Sequence, residues 1–175
     1  DMDRANKYID VAMKDTAAYK DALNLKLYIM QQGLKTKEDS VKYVNTLRDL
    51  YAKDANNEQI FSNLVTLCGS LKMTSEQDKL LNDKLAADPT NALAWALKGQ
   101  IEMNANKPAE AVECYKKSIA KDGKNVIVLT YLGFCLNAQA AKDGVSKAEQ
   151  QKLYKESEGY LEQARSLDPN REKAN

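Results

Sequence analysis

Apolar side chains recur at spacings of three and four along most of the chain, in short sets separated by polar phrases bearing Asp and Asn. Phe61, Leu64, Val65 and Cys68 make one set, Trp95 and Gly99 belong to a second, and Leu129, Leu132, Gly133 and Leu136 make a third. That spacing puts each set on one face of an α-helix. Sparser sets alternate with these: Gln77 with Leu81, Ala111 with Tyr115, and Ser157 with Leu161. The pattern predicts an all-α chain built from helix pairs. In the clearest pair, residues 91–105 and 108–120 are helical in composition, and Pro108 falls in a first turn, where its missing N–H costs nothing. Thr74 with Gln77 and Ser146 with Glu149 have the spacing of a capping box.

Each pair closes on the same phrase. LYAKDANN (50–57), KLAADPTN (84–91), SIAKDGKN (118–125) and ARSLDPNR (164–171) place Asp54, Asp88 and Asp122 at intervals of 34 and 34, and Asp168 after 46, one period plus 12. A fixed period of this size marks a stacked array. Within the phrase, Pro or Gly stops a helix while Asp and Asn supply turn and capping bonds. Gly99 and Gly133 keep the same period. Glycine inside a helix costs about 1 kcal/mol relative to alanine, so the two positions predict close approach of a partner helix, with the small Ala111 facing Gly99. Helices of this length, about 20 Å at roughly 1.5 Å per residue, are marginal alone and must pack on neighbours.

These residues resemble the tetratricopeptide repeat, whose pattern runs Trp, Leu-Gly, Tyr, then Ala, an aromatic and a closing Pro. The best copy carries Trp95, Gly99, Ala111 and Tyr115, and departs from the pattern at Lys98, Glu102 and Gly123. The weakest is the first, with Ala22, Leu25, Lys26 and Ile29, then Tyr43 and Leu47, and about five extra residues between its halves. The resemblance implies an α-solenoid, a right-handed superhelix of antiparallel helix pairs with about four repeats and an N-terminal half-repeat. On this reading residues 1–175 are one array: a half-repeat at 1–15, a degenerate repeat at 16–54, repeats at 55–88 and 89–122, a repeat with a 12-residue insertion at 123–168, and a tail at 169–175. Ala5, Ile9 and Ala12 fit the small, large and small positions of a second helix, which predicts an array beginning before residue 1. NREKAN after Pro169 reads as the start of another helix. The insertion, with its own turn at Lys142, Asp143 and Gly144, is expected to lengthen both helices of the fourth pair by about one and a half to two turns.

Composition removes several classes of chemistry. The chain of 175 residues has no histidine, which excludes a histidine general base, a Ser-His-Asp triad and HExxH zinc chemistry. Its seven glycines form no phosphate-binding loop. Cys68, Cys114 and Cys135 lack the spacing of a disulfide framework or zinc cluster and read as buried thiols. With 26 Lys and Arg against 25 Asp and Glu, a net charge of +1 offers no broad field for nucleic acid or anionic membranes. The longest nearly unbroken apolar run, residues 126–136, is 11 long, short of the roughly 20 that span a bilayer. No enzyme activity, cofactor, metal or membrane insertion is expected. The start resembles no signal peptide and begins with Asp, which predicts a mature or trimmed fragment that suits the cytoplasm or the periplasm equally.

The family resemblance implies a protein-interaction scaffold that holds a peptide or protein partner in a concave groove lined by first helices. Carried over position by position, the groove residues are Met30, Asn63, Thr66, Gln100, Met103, Asn104, Thr130, Tyr131, Phe134 and Asn137, with Ile127 beside the last set. In the first copy the same positions give Lys20, Leu23, Asn24, Leu27 and Gln31. Apart from Lys20 these are neutral, so the basic clamp that holds a terminal carboxylate in chaperone-binding members is missing, which disfavours an acidic C-terminal peptide. A second reading is an architectural segment of a larger cell-envelope or multidomain protein that forms a homodimer and binds nothing in its groove.

Overall fold

The computed structural model describes residues 2–169, and among them nine α-helices and no strand. They are α1 (Met2–Ala12), α2 (Tyr19–Gln32), α3 (Lys37–Lys53), α4 (Glu58–Ser70), α5 (Thr74–Ala87), α6 (Ala92–Asn104), α7 (Pro108–Lys121), α8 (Val126–Ala140) and α9 (Lys147–Leu167). The fold is all-α and solenoid-like. The chain divides into two compact units, residues 1–71 with α1 to α4 and residues 72–175 with α5 to α9. In the first, α1 packs on α2 and α3 on α4; in the second, α5 to α9 pack each on the next in sequence. Residues 170–175, where another helix is expected, lie outside the described residues.

The repeated phrase is a helix-to-helix splice. Asp54, Asp88, Asp122 and Asp168 are the C-caps of α3, α5, α7 and α9. In the first three, the Asp carbonyl accepts the N–H of an Asn three residues on, at 3.2 Å for Asn57, 3.1 Å for Asn91 and 3.3 Å for Asn125. Each Asn is in turn the N-cap of the next helix, its side-chain oxygen accepting from the N–H of Ile60, Ala94 or Val128. One Asp and one Asn thus satisfy backbone groups on both sides of a two-residue link, and an Asn N-cap is worth about 1 kcal/mol relative to Ala. Ser146 caps α9 as expected, accepting from Glu149 N–H at 3.2 Å. Thr74 does not cap α5: Lys72 turns the chain through a left-handed conformation (φ 58°), Met73 becomes the N-cap, and Thr74 is the first helical residue. Gln77 is buried along α5.

Both glycines mark a close approach. A Cβ on Gly99 would lie 2.8 Å from Tyr115 Cε1, and one on Gly133 would lie 2.6 Å from Leu161 Cγ. The side chain facing Gly99 is therefore the Tyr115 ring, where Ala111 was expected; Ala111 is buried beside it in the same core. Tyr115 and Leu161 occupy the same point of the repeat, so the closing contact survives the insertion. The inserted length is spread unevenly. Relative to the pair before it, α8 gains two residues, the linking turn three, and α9 seven, about two further turns. Only the second helix is lengthened appreciably.

Candidate functional site

The sequence assigns the candidate residues to the exposed sides of first helices, and each unit presents its share separately. In the second unit, α8 is two-faced without being charged: Val126–Ala140 contains no Asp, Glu, Lys or Arg. Leu129, Leu132, Cys135 and Leu136 are fully buried on one side, while Ile127, Tyr131 and Phe134 remain 53%, 39% and 50% exposed on the other. Their spacing of four and three places them on one stripe. Tyr131 stacks on the buried Tyr115, ring centroids 6.2 Å apart at 14°. The Tyr115 hydroxyl beneath it is buried without a hydrogen-bond partner, and burial raises its pKa above the ordinary tyrosine range.

On α6, Gln100 donates its side-chain N–H to Asn104 Oδ1 at 3.0 Å, which aligns two amides on one turn. Met103 is half-buried against the core, its sulfur 3.4 Å from Cys135 Sγ, and serves packing more than display. The Thr130 hydroxyl donates to its own helix at Val126 O, 2.7 Å away. Asn137 lines a separate open cleft of about 770 Å³ against α9, with Tyr154, Lys155, Glu158 and Arg165. Trp95 is engaged structurally: its indole N–H donates to Pro89 O at 2.8 Å, and Lys117 Nζ lies 4.1 Å from the ring centre.

In the first unit, the half-buried Asn63 and exposed Thr66 share a recess of about 380 Å³ with Gln31, Leu34 and Ser70. Met30 does not line it. On α2 the buried residues are Ala22, Leu23 and Leu27, and Leu25 is 49% exposed. The register expected for the first copy is therefore displaced by one: Leu23 and Leu27 belong to the core, and half-buried Met30 continues their face. The residues this moves to the outside are Leu25 and Tyr28, the latter 59% exposed. The signal that would have found them is the missing splice, because α2 begins from Ala18 with no side-chain cap.

The cysteines sit in buried surroundings that disfavour a thiolate. Cys68, Cys114 and Cys135 are buried, and burial pushes the Cys114 thiol up and the Cys135 thiol to about 11. Thiolate chemistry needs the opposite shift. Among the described residues no group of three or more His, Cys, Asp or Glu is placed to hold a metal ion, and no helix is long and apolar enough to cross a membrane.

No family model and no curated protein matches the sequence. Solved structures do. A crystal structure of the MamA protein aligns over 97% of this chain and 94% of its own at 16% identity, with a TM-score of 0.53. MamA from Desulfovibrio magneticus RS-1, residues 41 to the end, aligns over 97% of both chains at 17% identity and a TM-score of 0.56. The chain shares the helical-repeat fold of these proteins.

Proposed function

We propose that this chain is a non-catalytic protein-interaction scaffold of tetratricopeptide type, and that the outer faces of its first helices hold a peptide or protein partner. The reading is carried by the stripe of Ile127, Tyr131 and Phe134, apolar side chains exposed on an uncharged helix whose opposite side already fills the core. Apolar area left outside in a continuous strip favours a partner that covers it. Gln100 and Asn104 add amide groups suited to the backbone of an extended segment, and Tyr131 brings apolar area with a polar tip. In the first unit Asn63 and Thr66 extend the same chemistry, with Leu25 and Tyr28 in place of the buried Leu23 and Leu27. The lack of histidine and the raised cysteine pKa values support a role without catalysis.

The test compares the intact chain with an Ile127→Ser, Phe134→Ser variant in affinity capture followed by mass spectrometry. Both positions are exposed, so stability should change by no more than about 0.5 kcal/mol. A discrete partner held by the parent and lost by the variant is the expected result. A concentration-dependent dimer that captures nothing would replace this reading with the architectural one.

A further inference from the structure

At one point of the repeat the helices α3, α5, α7 and α9 carry Leu47, Leu81, Tyr115 and Leu161, spaced by 34, 34 and 46 residues. Leu47, Leu81 and Tyr115 are fully buried, and Leu161 lies on Gly133 as Tyr115 lies on Gly99. Leucine fills this position in three copies, so packing alone does not call for a hydroxyl. Tyr115 brings one all the same. Its oxygen is buried without a hydrogen-bond partner, a desolvation cost that the leucines avoid. The surface above it differs as well. The first helices that follow Leu47 and Leu81, α4 and α6, expose no large hydrophobic side chain, whereas α8, which follows Tyr115, exposes Ile127, Tyr131 and Phe134.

The ring stands between α6 and α8. A Cβ on Gly99 would lie 2.8 Å from Cε1, 2.9 Å from Cδ1 and 3.0 Å from Cζ, so the carbon that bears the hydroxyl rests against α6. Tyr131 of α8 stacks on the same ring with centroids 6.2 Å apart, toward the loose end of aromatic contact. Burial first, then the nearby Cys135, Tyr131 and Cys114, raise the Tyr115 pKa, and the hydroxyl stays a donor at neutral pH. Tyr131 itself is partly exposed, and its side chain makes no hydrogen bond among the described residues. Turning it outward breaks a stacking contact and no hydrogen bond.

Resting on the scaffold reading above, we propose that Tyr115 is a hydrogen-bond donor held for the partner, and that the occupant is an extended, uncharged peptide segment. The segment turns Tyr131 aside, presents a backbone carbonyl to Tyr115 Oη and lays apolar side chains on Ile127 and Phe134. A neutral hydroxyl without a partner calls for an acceptor, and a peptide carbonyl supplies one without a charge. Charge complementarity selects the rest of the segment: α8 has no ionisable side chain, and Gln100, Asn104 and Thr130 beside it are neutral. A carboxylate buried there would meet no cation on α8. Binding then satisfies a donor that the free chain leaves unsatisfied, which makes Tyr115 a determinant of affinity although it is hidden before the partner arrives.

The probe is the tightest binder from a phage-displayed library of short random peptides selected on the full chain, resynthesised with a fluorophore and read by anisotropy. Tyr115→Phe removes one oxygen and should raise Kd about tenfold. Its melting temperature should hold or rise, because the unsatisfied group is gone. Replacing the peptide's amide bonds one at a time by esters, whose carbonyls accept more weakly, should raise the parent's Kd at one position where Tyr115→Phe shows no further loss. An unchanged Kd, the absence of any such position, or a melting temperature that falls with the hydroxyl overturns the proposal; the last would show a hydroxyl already bonded within the free chain. A selection that yields no binder, or binders indifferent to Ile127→Ser with Phe134→Ser, overturns the scaffold reading together with this one. Binders lost by that variant yet equally tight on the parent and on Tyr115→Phe overturn this proposal alone.

Discussion

Val112 closes the seam between α7 and α8, whereas 34 residues earlier, at the same point of the repeat, the seam between α5 and α6 has Asp78. The apolar position seven residues further on is kept in both, as Ile119 in the one and half-buried Leu85 in the other. Val112 is buried in the main core of the unit, and Ile119 packs against it. Asp78 is exposed and, with Asn82, Lys98 and Glu102, lines a recess of about 270 Å³ around Leu81 and Ile101. The splices on the two sides are nearly alike, Asp88 to Asn91 and Asp122 to Asn125. A shared period therefore fixes where the backbone turns without fixing how firmly neighbours hold. In a stacked array stability is a sum over such seams, and the weakest opens first.

The firmest test reverses the better seam. Val112→Asp removes buried methyls and leaves a carboxylate in an apolar core, which should cost about 4 kcal/mol. Urea unfolding measures it, and a loss below about 1 kcal/mol would show that this seam does not depend on Val112. The next test strikes α6, which packs on both α5 and α7. Gly99→Leu drives a side chain into the Tyr115 ring and should cost about 2 to 3 kcal/mol. A neutral result would remove the Gly99–Tyr115 contact from the account.

How much of this was legible follows the same division. The splice was readable, because Asp and Asn act on the backbone within three residues of themselves and need no knowledge of packing. The period then located Gly99, Gly133 and the core sets, which are buried or half-buried as the spacing requires. The ring facing Gly99 was not readable, since spacing within one helix does not say which residue of the next helix lies opposite. Nor was the register of α2, where no Asn marks the start and Ala22, Leu23, Leu25 and Leu27 fit two faces equally. In the candidate site, the strongest copies set the register of Tyr131 and Phe134, and both are exposed. Met30 rests on the weakest copy and is half-buried, as are Asn63, Gln100, Met103, Thr130 and Asn137.

A smaller effect should come from mending the poorer seam. Asp78→Val places methyls beside Leu81 and Ile101 and should stabilise the chain by about 0.5 to 1 kcal/mol, with slower amide exchange in α5. Destabilisation would mean that the recess is held open by something other than its polar lining.

The smallest effect concerns the splice joining those same helices. The Asp88 carboxylate accepts the Thr90 hydroxyl at 2.8 Å and the Thr90 N–H at 3.0 Å. These bonds, helped by the charge of Lys121, hold its pKa below the ordinary 3.8. A carboxylate whose pKa is lowered by folding contributes its full stability above the ordinary value and loses it as pH falls through the lowered one. The whole of that contribution is therefore what Asp88→Asn loses near neutral pH, and the loss should be small because the carboxylate is exposed. In acid, Asp88→Asn should flatten the fall of the melting temperature between about pH 5 and pH 3, because the unfolded chain no longer gains a proton there. The flattening should be clearest in amide exchange of α5 and α6, where a thin seam leaves the splice a larger share of the local stability. An acid limb as steep as the parent's would mean that the Thr90 bonds do not hold these two helices together.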